Sequence, residues 1–198
     1  MLLPIADLLT VEQVRQACTV CGAREFRVAR TAEERDLLWK GRKNAFGAVG
    51  RVSPTYYVQD GVVPRTQIAP TLNFIGEVAL KYGLTISNIF HAGDGNLHPI
   101  ILFNPRKPGD IDKARTAGED ILTWCIEKGG SITGEHGVGM EKNELMAKLF
   151  PPETLETILK LKMLFDPTER LNPGKVLPTG RGCMEIRQAP LTTGSVVY

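Results

Sequence analysis

The sequence predicts an α+β fold, in which an antiparallel β-sheet carries helices on one face. Short alternating or apolar runs are separated by longer segments with helical spacing, and two apolar runs adjoin as a hairpin in the middle of the chain. A hairpin between helices is typical of an antiparallel sheet. We therefore expect a ferredoxin-like arrangement, with further helices towards the C-terminus.

The first part of the chain is predicted to alternate strands and helices. In order, the expected elements are a strand over residues 2–6, a helix over residues 10–22, a strand over residues 25–29 and a helix that ends near residue 46. Thr31 and Glu34 form a capping box at the start of the last of these helices. That helix is expected to bury Leu37, Leu38 and Trp39.

The middle of the chain is predicted to form the sheet. The expected elements are a strand over residues 55–63, a helix over residues 64–82 ended by Gly83, and a hairpin made of LTISNIFH and LHPIILF. The Asp94-Gly95 pair lies between the two apolar runs. This pair is typical of a two-residue hairpin turn, because both central residues of that turn need positive φ angles.

The last part of the chain is predicted to be mainly helical. The expected elements are a helix over residues 108–128, a strand end and glycine-rich turn in GGSITGEHGVG, and one or two helices over residues 140–165 broken at Pro151-Pro152. The segment DPTERLNPGKVLP is expected to be irregular. We expect one domain over residues 1–178, followed by a loose tail over residues 179–198.

Composition limits the classes of partner. The 198 residues include 24 basic and 22 acidic side chains, which leaves a net charge of +2. This balance argues against the one-sided positive surface by which proteins bind nucleic acid or anionic membranes. No secretory signal is evident, and no apolar run reaches the roughly 18 to 20 residues of a transmembrane segment. We therefore expect a cytoplasmic protein.

Cys18 and Cys21 form a lone CxxC motif. The functional interpretations are a redox pair and half of a zinc site, and no second CxxC is present to complete such a site. Their helical spacing with Val11 and Val14 favours instead two thiols that face a core.

All three histidines of the chain lie in glycine-rich segments, and two of them flank the expected hairpin turn. Counting outward from Asp94-Gly95 places His91 directly opposite His98 on one face. The Cβ atoms of such a pair lie about 4.5 to 5.5 Å apart, so two ring nitrogens can reach one metal ion. The alternatives are that the rings stack or hydrogen-bond to each other, or that a longer, irregular loop abolishes the pairing.

The segment GEHGVG supplies further candidates, because it places Glu135 beside His136 on a glycine-rich turn. Side chains at neighbouring positions point apart, so one of the pair can bind a metal while the other faces a substrate. If Glu135 joins the two hairpin histidines, His136 is free to act as a general base. The alternatives are a solvated loop and, more weakly, a phosphate-binding loop, whose known patterns neither GDGN nor GEHGVG matches.

Four strings together resemble the C-terminal part of the FAD-linked oxidases of the vanillyl-alcohol oxidase superfamily. They are GRKNAFGAVGRVSPTYYVQDGVVPR, IFHAGDGNLHPIILF, GGSITGEHGVG followed by Lys142, and LFDPTERLNPGKVLP. The resemblance extends from about residue 5 to residue 178. Its nearest members act on 2-hydroxy acids, as glycolate oxidases and D-lactate and D-2-hydroxyglutarate dehydrogenases do. The resemblance implies a substrate-side cap domain that oxidises a 2-hydroxy acid by hydride transfer to FAD.

The resemblance also implies roles for particular residues. His91, His98 and Glu135 are expected to bind a divalent metal, zinc or manganese, and His136 is expected to accept the hydroxyl proton of the substrate. Arg42 and Asn96 are expected to bind the substrate. Asn172 and Lys175 are expected to contact the flavin. A planar, bidentate donor such as Arg42 suits a carboxylate. Without the resemblance, Arg42 is interpreted as part of a solvated helix face and LNPGK as a turn.

Two departures from the family pattern affect these expectations. The FAD-binding domain is missing, so we expect the chain to bind FAD weakly or not at all and to be inactive alone. The segment PTYYVQD lacks the lysine that relatives acting on larger dicarboxylates carry on this strand, which favours a small acid such as glycolate or D-lactate.

The resemblance implies several partners. They are a small 2-hydroxy acid, the missing FAD-binding domain, other oxidase subunits and an iron–sulfur protein, and such subunits would hold the chain peripherally at a membrane. Two other functions stay open at this point: a metal-dependent hydrolase with water as the nucleophile, and a non-catalytic module descended from the oxidase. Neither gives a role to Arg42 or to LNPGK.

Overall fold

The computed structural model describes residues 10–53 and 55–178, and the chain divides into two compact units with a boundary between Phe46 and Gly47. In chain order the helices and strands are α1 (Val11–Val20), α2 (Ala32–Lys43), α3 (Ala45–Val49), β1 (Thr55–Val58), β2 (Gly61–Val62), α4 (Ile68–Tyr82), β3 (Thr85–His91), β4 (Asn96–Phe103), α5 (Asp110–Glu127), α6 (Met146–Leu149) and α7 (Pro152–Phe165). The predicted strand over residues 2–6 and the predicted tail lie outside the described residues. The prediction of one domain over residues 1–178 stays a prediction.

The first unit contains α1 and α2, and both helices begin as predicted. The Thr31 hydroxyl accepts a hydrogen bond from the Glu34 N–H at 3.2 Å. The prediction of a strand over residues 25–29 is wrong, because this segment has no regular structure. The predicted burial of Leu37, Leu38 and Trp39 is also wrong.

The apolar side chains of the first unit remain largely exposed. Neither α1 nor α2 contains a buried residue, and the side chains of α2 that were expected inside are between 46% and 69% exposed. Cys21 is exposed as well, so the core interpretation of the CxxC motif fails for this thiol. Helical spacing produces an apolar stripe, but burial requires a second layer, and the described residues of this unit provide none.

The second unit is built on an antiparallel sheet with β4 at its centre. β3 pairs along one side of β4, and β1 and β2 pair along the other. Ser131 adds a single antiparallel bridge to Val62. The spatial order is therefore Ser131, β1 and β2, β4, β3, which is the ferredoxin-like order with its last strand reduced to one residue. The α+β prediction is confirmed.

Helices cover one face of this sheet. A buried cluster joins Ile101 of β4 to side chains of α4 and α5, namely Ile75, Val78, Ala114, Ala117 and Ile121. Because side chains alternate along a strand, Asn96 and His98 point to the opposite face. A second cluster packs α5 against α6 and α7. No helix in the described parts of the chain is long and apolar enough to cross a membrane.

The hairpin between β3 and β4 has a different register from the one predicted. His91 pairs with Asn96 and Ile89 pairs with His98, so the two histidines are not directly opposite. The loop contains four residues, Ala92 to Gly95, and the His91 carbonyl accepts hydrogen bonds from the Asp94 and Gly95 N–H groups. The prediction of a two-residue turn at Asp94-Gly95 is therefore wrong.

Gly95 explains why the loop is wider than predicted. Its φ angle is +76°, and an added Cβ would lie 2.0 Å from the Val63 carbonyl oxygen. The Val63 N–H donates a hydrogen bond to the Gly95 carbonyl at 3.0 Å. The loop is thus held against the chain that follows β2, and local turn preference does not decide its shape.

Replacing Gly95 by alanine should destabilise the second unit. A non-glycine residue in this conformation costs about 1–3 kcal/mol, and the contact with the Val63 carbonyl adds to that cost. Urea unfolding of both proteins measures the difference. Gly93→Ala is the matched control, because Gly93 lies in the same loop and an added Cβ there meets no atom within 4 Å. Equal losses in the two variants would contradict the prediction.

Candidate functional site

The three histidines of the chain surround one carboxylate oxygen. Oε1 of Glu135 lies 3.0 Å from Nε2 of His98, 3.8 Å from Nε2 of His91 and 3.8 Å from Nε2 of His136. His98 is only 4% exposed, whereas the other three side chains are about half exposed. The structure therefore brings together the predicted metal ligands and the predicted base at one accessible point, on the face of the sheet opposite α4 and α5.

The hairpin places two of these histidines on the same face despite the changed register. His91 pairs with Asn96, and His98 lies two residues further along the same strand, so the histidines are diagonal neighbours. Their ring centroids are 5.5 Å apart with an interplanar angle of 88°. The rings meet edge to face and do not stack in parallel, which leaves both Nε2 atoms near Glu135.

The GEHG turn is held by a buried aspartate. Oδ2 of Asp60 accepts a hydrogen bond from the Thr133 hydroxyl at 2.6 Å and from the N–H groups of Gly134, Glu135 and His136 at 3.0, 3.1 and 2.8 Å. Three consecutive N–H groups converge on one carboxylate oxygen, as in an anion-binding nest. This arrangement fixes the backbone from which Glu135 and His136 extend.

Asp60 and Lys142 form a buried charged pair behind the turn. Nζ of Lys142 lies 3.6 Å from Oδ2 of Asp60, and both side chains are at most 5% exposed. Burial by itself raises the pKa of Asp60, but the hydrogen bonds from Thr133 and from the turn stabilise the ionised form and lower the pKa to about 2. Burial also lowers the pKa of Lys142, an effect that the negative charge of Asp60 opposes.

The low pKa of Asp60 predicts a specific loss of stability in acid. The folded-state pKa of about 2 lies below the ordinary value of 3.8. The ionised carboxylate therefore contributes to the free energy of unfolding above about pH 4, and this contribution is lost as the pH falls towards 2. The difference corresponds to about 2 kcal/mol. Urea unfolding at pH 5 and at pH 2.5 should show a steeper loss in the natural chain than in Asp60→Asn. Parallel losses would contradict the assignment.

Asn96 contacts the first glycine of the GEHG turn. It is 7% exposed, and a Cβ added to Gly134 would lie 2.6 Å from its Nδ2 atom. Only a residue without a side chain leaves room for Asn96 at this point. The Oδ1 atom of Asn96 is buried and has no hydrogen-bond partner among the described residues. Asn96 therefore lies beside the histidine cluster and retains an unused acceptor.

The segment that follows α7 reaches the other side of the turn. The Val176 N–H donates a hydrogen bond to the Gly139 carbonyl at 2.8 Å, and Nζ of Lys175 donates one to Oδ1 of Asn172 at 3.1 Å. Lys175 and His136 line one cavity of about 360 Å³. The structure thus brings Lys175, and Asn172 through it, near the predicted base.

Arg42 is not part of the histidine cluster. It is an exposed residue of α2 in the first unit, whereas the histidine cluster belongs to the second. Its assignment to the substrate stays a prediction.

The cluster holds the donor types that the predicted metal site needs. Two imidazole nitrogens and a carboxylate oxygen form a common ligand set for zinc or manganese, and ligands of one tetrahedral ion lie about 3.3 Å apart. Among the described residues, the four whose ligand atoms all lie within 4.8 Å of one another are Asp60, His98, Glu135 and His136. Asp60 suits a metal poorly, because four donors from the turn already use its Oδ2 atom. His136 belongs to that compact set and His91 does not, so the assignment of the cation to His91, His98 and Glu135 stays a prediction.

Sequence reasoning assigned no role to Asp60, Thr133 or Lys142. The one local signal was a polar pair, Gln59-Asp60, inside the strand segment YYVQDGVV, at the point where that strand breaks into β1 and β2. Thr133 and Lys142 carry no such signal, because their contacts with Asp60 join positions more than 70 residues apart.

Residues 6–176 match the family described as "FAD linked oxidases, C-terminal domain". The chain is 45% identical over 174 residues to "Glycolate oxidase subunit GlcD" of Escherichia coli strain K12, a match that covers 88% of this chain and 35% of the relative. It is 37% identical over 166 residues to "Glycolate oxidase subunit GlcD" of Bacillus subtilis strain 168, covering 84% of this chain and 35% of the relative.

A more distant similarity extends to another group of oxidoreductases. The chain is 30% identical over 167 residues to "D-lactate dehydrogenase [cytochrome], mitochondrial" of Arabidopsis thaliana, covering 83% of this chain and 30% of the relative. The chain thus spans about a third of the length of these relatives.

Proposed function

The chain belongs to the family of FAD-linked oxidases, whose C-terminal domain it matches, and on this premise we propose that it is the substrate- and metal-binding part of a flavoenzyme. The enzyme oxidises a small 2-hydroxy acid of the glycolate or D-lactate type. The names of the relatives support the substrate class. The observation that carries the proposal is the convergence of three imidazoles on Oε1 of Glu135.

His91, His98 and Glu135 are the residues that would hold the cation, zinc or manganese. They supply two neutral nitrogen donors and one anionic oxygen, and they leave coordination positions open for a substrate. When bound, the cation would polarise the substrate oxygens, and the flavin would supply the acceptor for the α-hydrogen and its electron pair. The buried His98 anchors the set, because its ring cannot turn away without disturbing the sheet.

His136 is the proposed general base. Its ring stacks on that of His98 with centroids 4.9 Å apart and an interplanar angle of 13°, so its orientation is restrained. Nε2 of His136 lies 3.8 Å from Oε1 of Glu135, beside the point where a substrate hydroxyl would meet the cation. From there it can accept the hydroxyl proton as the α-hydrogen departs.

The remaining predicted residues have proposed roles towards the substrate and the flavin. Asn96, which lies next to His98 and the GEHG turn, is proposed to contact the substrate, and Arg42 is proposed to bind the substrate carboxylate. Asn172 and Lys175 are proposed to contact the flavin, since Lys175 lines the cavity that His136 also lines. The flavin itself is proposed to be held mainly by a separate FAD-binding domain.

Further partners follow from the same proposal. Other oxidase subunits, including an iron–sulfur protein, would receive the electrons, and such subunits would hold the cytoplasmic chain peripherally at a membrane. The word "subunit" in the names of two relatives supports this part of the proposal.

A chimeric protein tests the proposed function. The chain replaces the matching segment of the Escherichia coli relative, and the purified protein is assayed anaerobically for loss of flavin absorbance on addition of glycolate or D-lactate. We expect bleaching that depends on the 2-hydroxy acid. Elemental analysis of the chain alone provides a second readout, with about one zinc or manganese per chain expected.

Two results would contradict the proposal. Bound flavin that no 2-hydroxy acid reduces would exclude the oxidoreductase assignment. Hydrolytic turnover by the chain without flavin would instead favour a metal-dependent hydrolase.

A further inference from the structure

Asp60 lies at the one break in the strand that flanks β4. β1 pairs with residues 100–103 and β2 pairs with residues 96–97, while the Gln59 N–H donates a hydrogen bond to the Pro99 carbonyl. Asp60 falls between these paired segments, and its side chain points to the face that carries His98. Its own position is therefore set by the sheet.

The turn that Asp60 holds is also attached to the sheet next to it. Val62 and Ser131 exchange two backbone hydrogen bonds of 2.9 and 3.0 Å. Ser131 is two residues before Thr133, and Val62 is two residues after Asp60. The Val62–Ser131 bridge and the Asp60 carboxylate thus attach the turn to the sheet at two adjacent points. Only the Asp60 carboxylate contacts the backbone of Glu135 and His136.

Asp60 contacts both halves of the proposed metal site. On one side, its Oδ2 atom holds the backbone of Glu135 and His136. On the other side, its Oδ1 atom lies 3.8 Å from Nδ1 of His98, a buried nitrogen that has no hydrogen-bond partner among the described residues. His98 therefore lies between two carboxylates, with Asp60 facing Nδ1 and Glu135 facing Nε2.

We propose that Asp60 is the positioning residue of this site, which holds the GEHG turn and the His98 ring at the spacing that lets Glu135 and His98 share one cation. The inference rests on the proposed function. Asp60 does not touch the cation or the substrate, and it acts through the residues that do. Lys142 supplies the opposite charge that makes a buried carboxylate tolerable at this position.

Titration of the full chain with Co²⁺ tests the proposal, because the visible spectrum of bound Co²⁺ reports the number and geometry of its ligands. Asp60→Asn keeps the shape of the side chain but removes its charge and one acceptor oxygen. We expect its Co²⁺ affinity to fall by about 10- to 100-fold, the usual cost of losing a partner that orients metal ligands. We also expect the visible bands to shift.

Asp166→Asn is the matched control. Asp166 is another buried carboxylate that accepts hydrogen bonds from two backbone N–H groups and from a lysine, Lys162. This variant shows how the loss of a buried carboxylate far from the GEHG turn in the sequence affects Co²⁺ binding. We expect its Co²⁺ affinity and spectrum to equal those of the natural chain. Thr133→Val serves as a second, milder variant, since it removes only the hydroxyl that bonds Asp60. It decides the question if Asp60→Asn does not fold.

The outcomes are distinguishable. Natural Co²⁺ affinity and spectrum in folded Asp60→Asn, or in Thr133→Val where that variant decides, would overturn the inference and leave the proposed function standing. The same loss in Asp166→Asn as in Asp60→Asn would also overturn it, because the effect would then be one of general stability. A natural chain that binds no Co²⁺ would overturn both the proposed metal site and this inference.

Discussion

Replacement of Glu135 by glutamine is expected to lower the affinity of the chain for zinc or manganese by at least about 100-fold, the upper end of what losing an outer-sphere partner costs. Glutamine keeps the size of the side chain but replaces the anionic oxygen, which three imidazoles approach within 3.8 Å, by a neutral amide. The change therefore tests charge and ligand identity with little effect on packing. Competition with a chelator of known affinity measures the loss.

The same variant also has a readout in stability. A ligand that binds only the folded chain raises the unfolding temperature, so added zinc should stabilise the natural chain and leave Glu135→Gln unchanged. Glu127→Gln is the matched control, since Glu127 is an exposed glutamate at the end of α5. Retention of natural metal affinity by Glu135→Gln would remove Glu135 from the site.

Replacement of His136 by glutamine is expected to slow flavin reduction by about 10²- to 10⁴-fold in the chimeric protein, the usual contribution of a positioned base. Glutamine retains hydrogen-bonding capacity but cannot accept the hydroxyl proton. Because His136 is not one of the three proposed ligands, metal content and bound flavin should be unchanged. Rapid-mixing absorbance measurements under anaerobic conditions give the rate.

The pH dependence of that rate separates a base from a residue that only packs. If His136 accepts the proton, the natural protein should lose activity on the acid side as the base becomes protonated, and the variant should lack this limb. An unchanged rate in the variant would remove His136 from the mechanism. A slower rate with the acid limb intact would reduce it to a packing role against His98.

The hairpin that carries His91 and His98 was predicted correctly as an element, but its register was not. Two apolar runs around AGDGN predicted a hairpin, and the hairpin is present. The predicted register is wrong because Gly95 packs against the Val63 carbonyl, and turn preferences do not take such a contact into account. His91 and His98 still share a face, because side chains alternate along each strand and the shift moved the partner by two residues, from His98 to Asn96.

The first unit shows the opposite result. Helix starts at Thr10 and Thr31 are local features, so they could be predicted from capping residues. Burial of Leu37, Leu38 and Trp39 could not, because spacing identifies an apolar side of a helix but does not supply the layer that covers it.

The motifs around His91, His98 and Glu135 were sufficient to predict which residues converge, because each lies in a short glycine-rich segment whose local chemistry is distinctive. Only the tertiary structure revealed what holds them together. Asp60 and Lys142 lie on opposite sides of the hairpin in the sequence, and neither is unusual by itself. The role of Asp60 depends on hydrogen bonds from residues 73 to 76 positions further along the chain, and the role of Lys142 depends on its burial beside Asp60. Only the folded chain brings these groups within reach of one another.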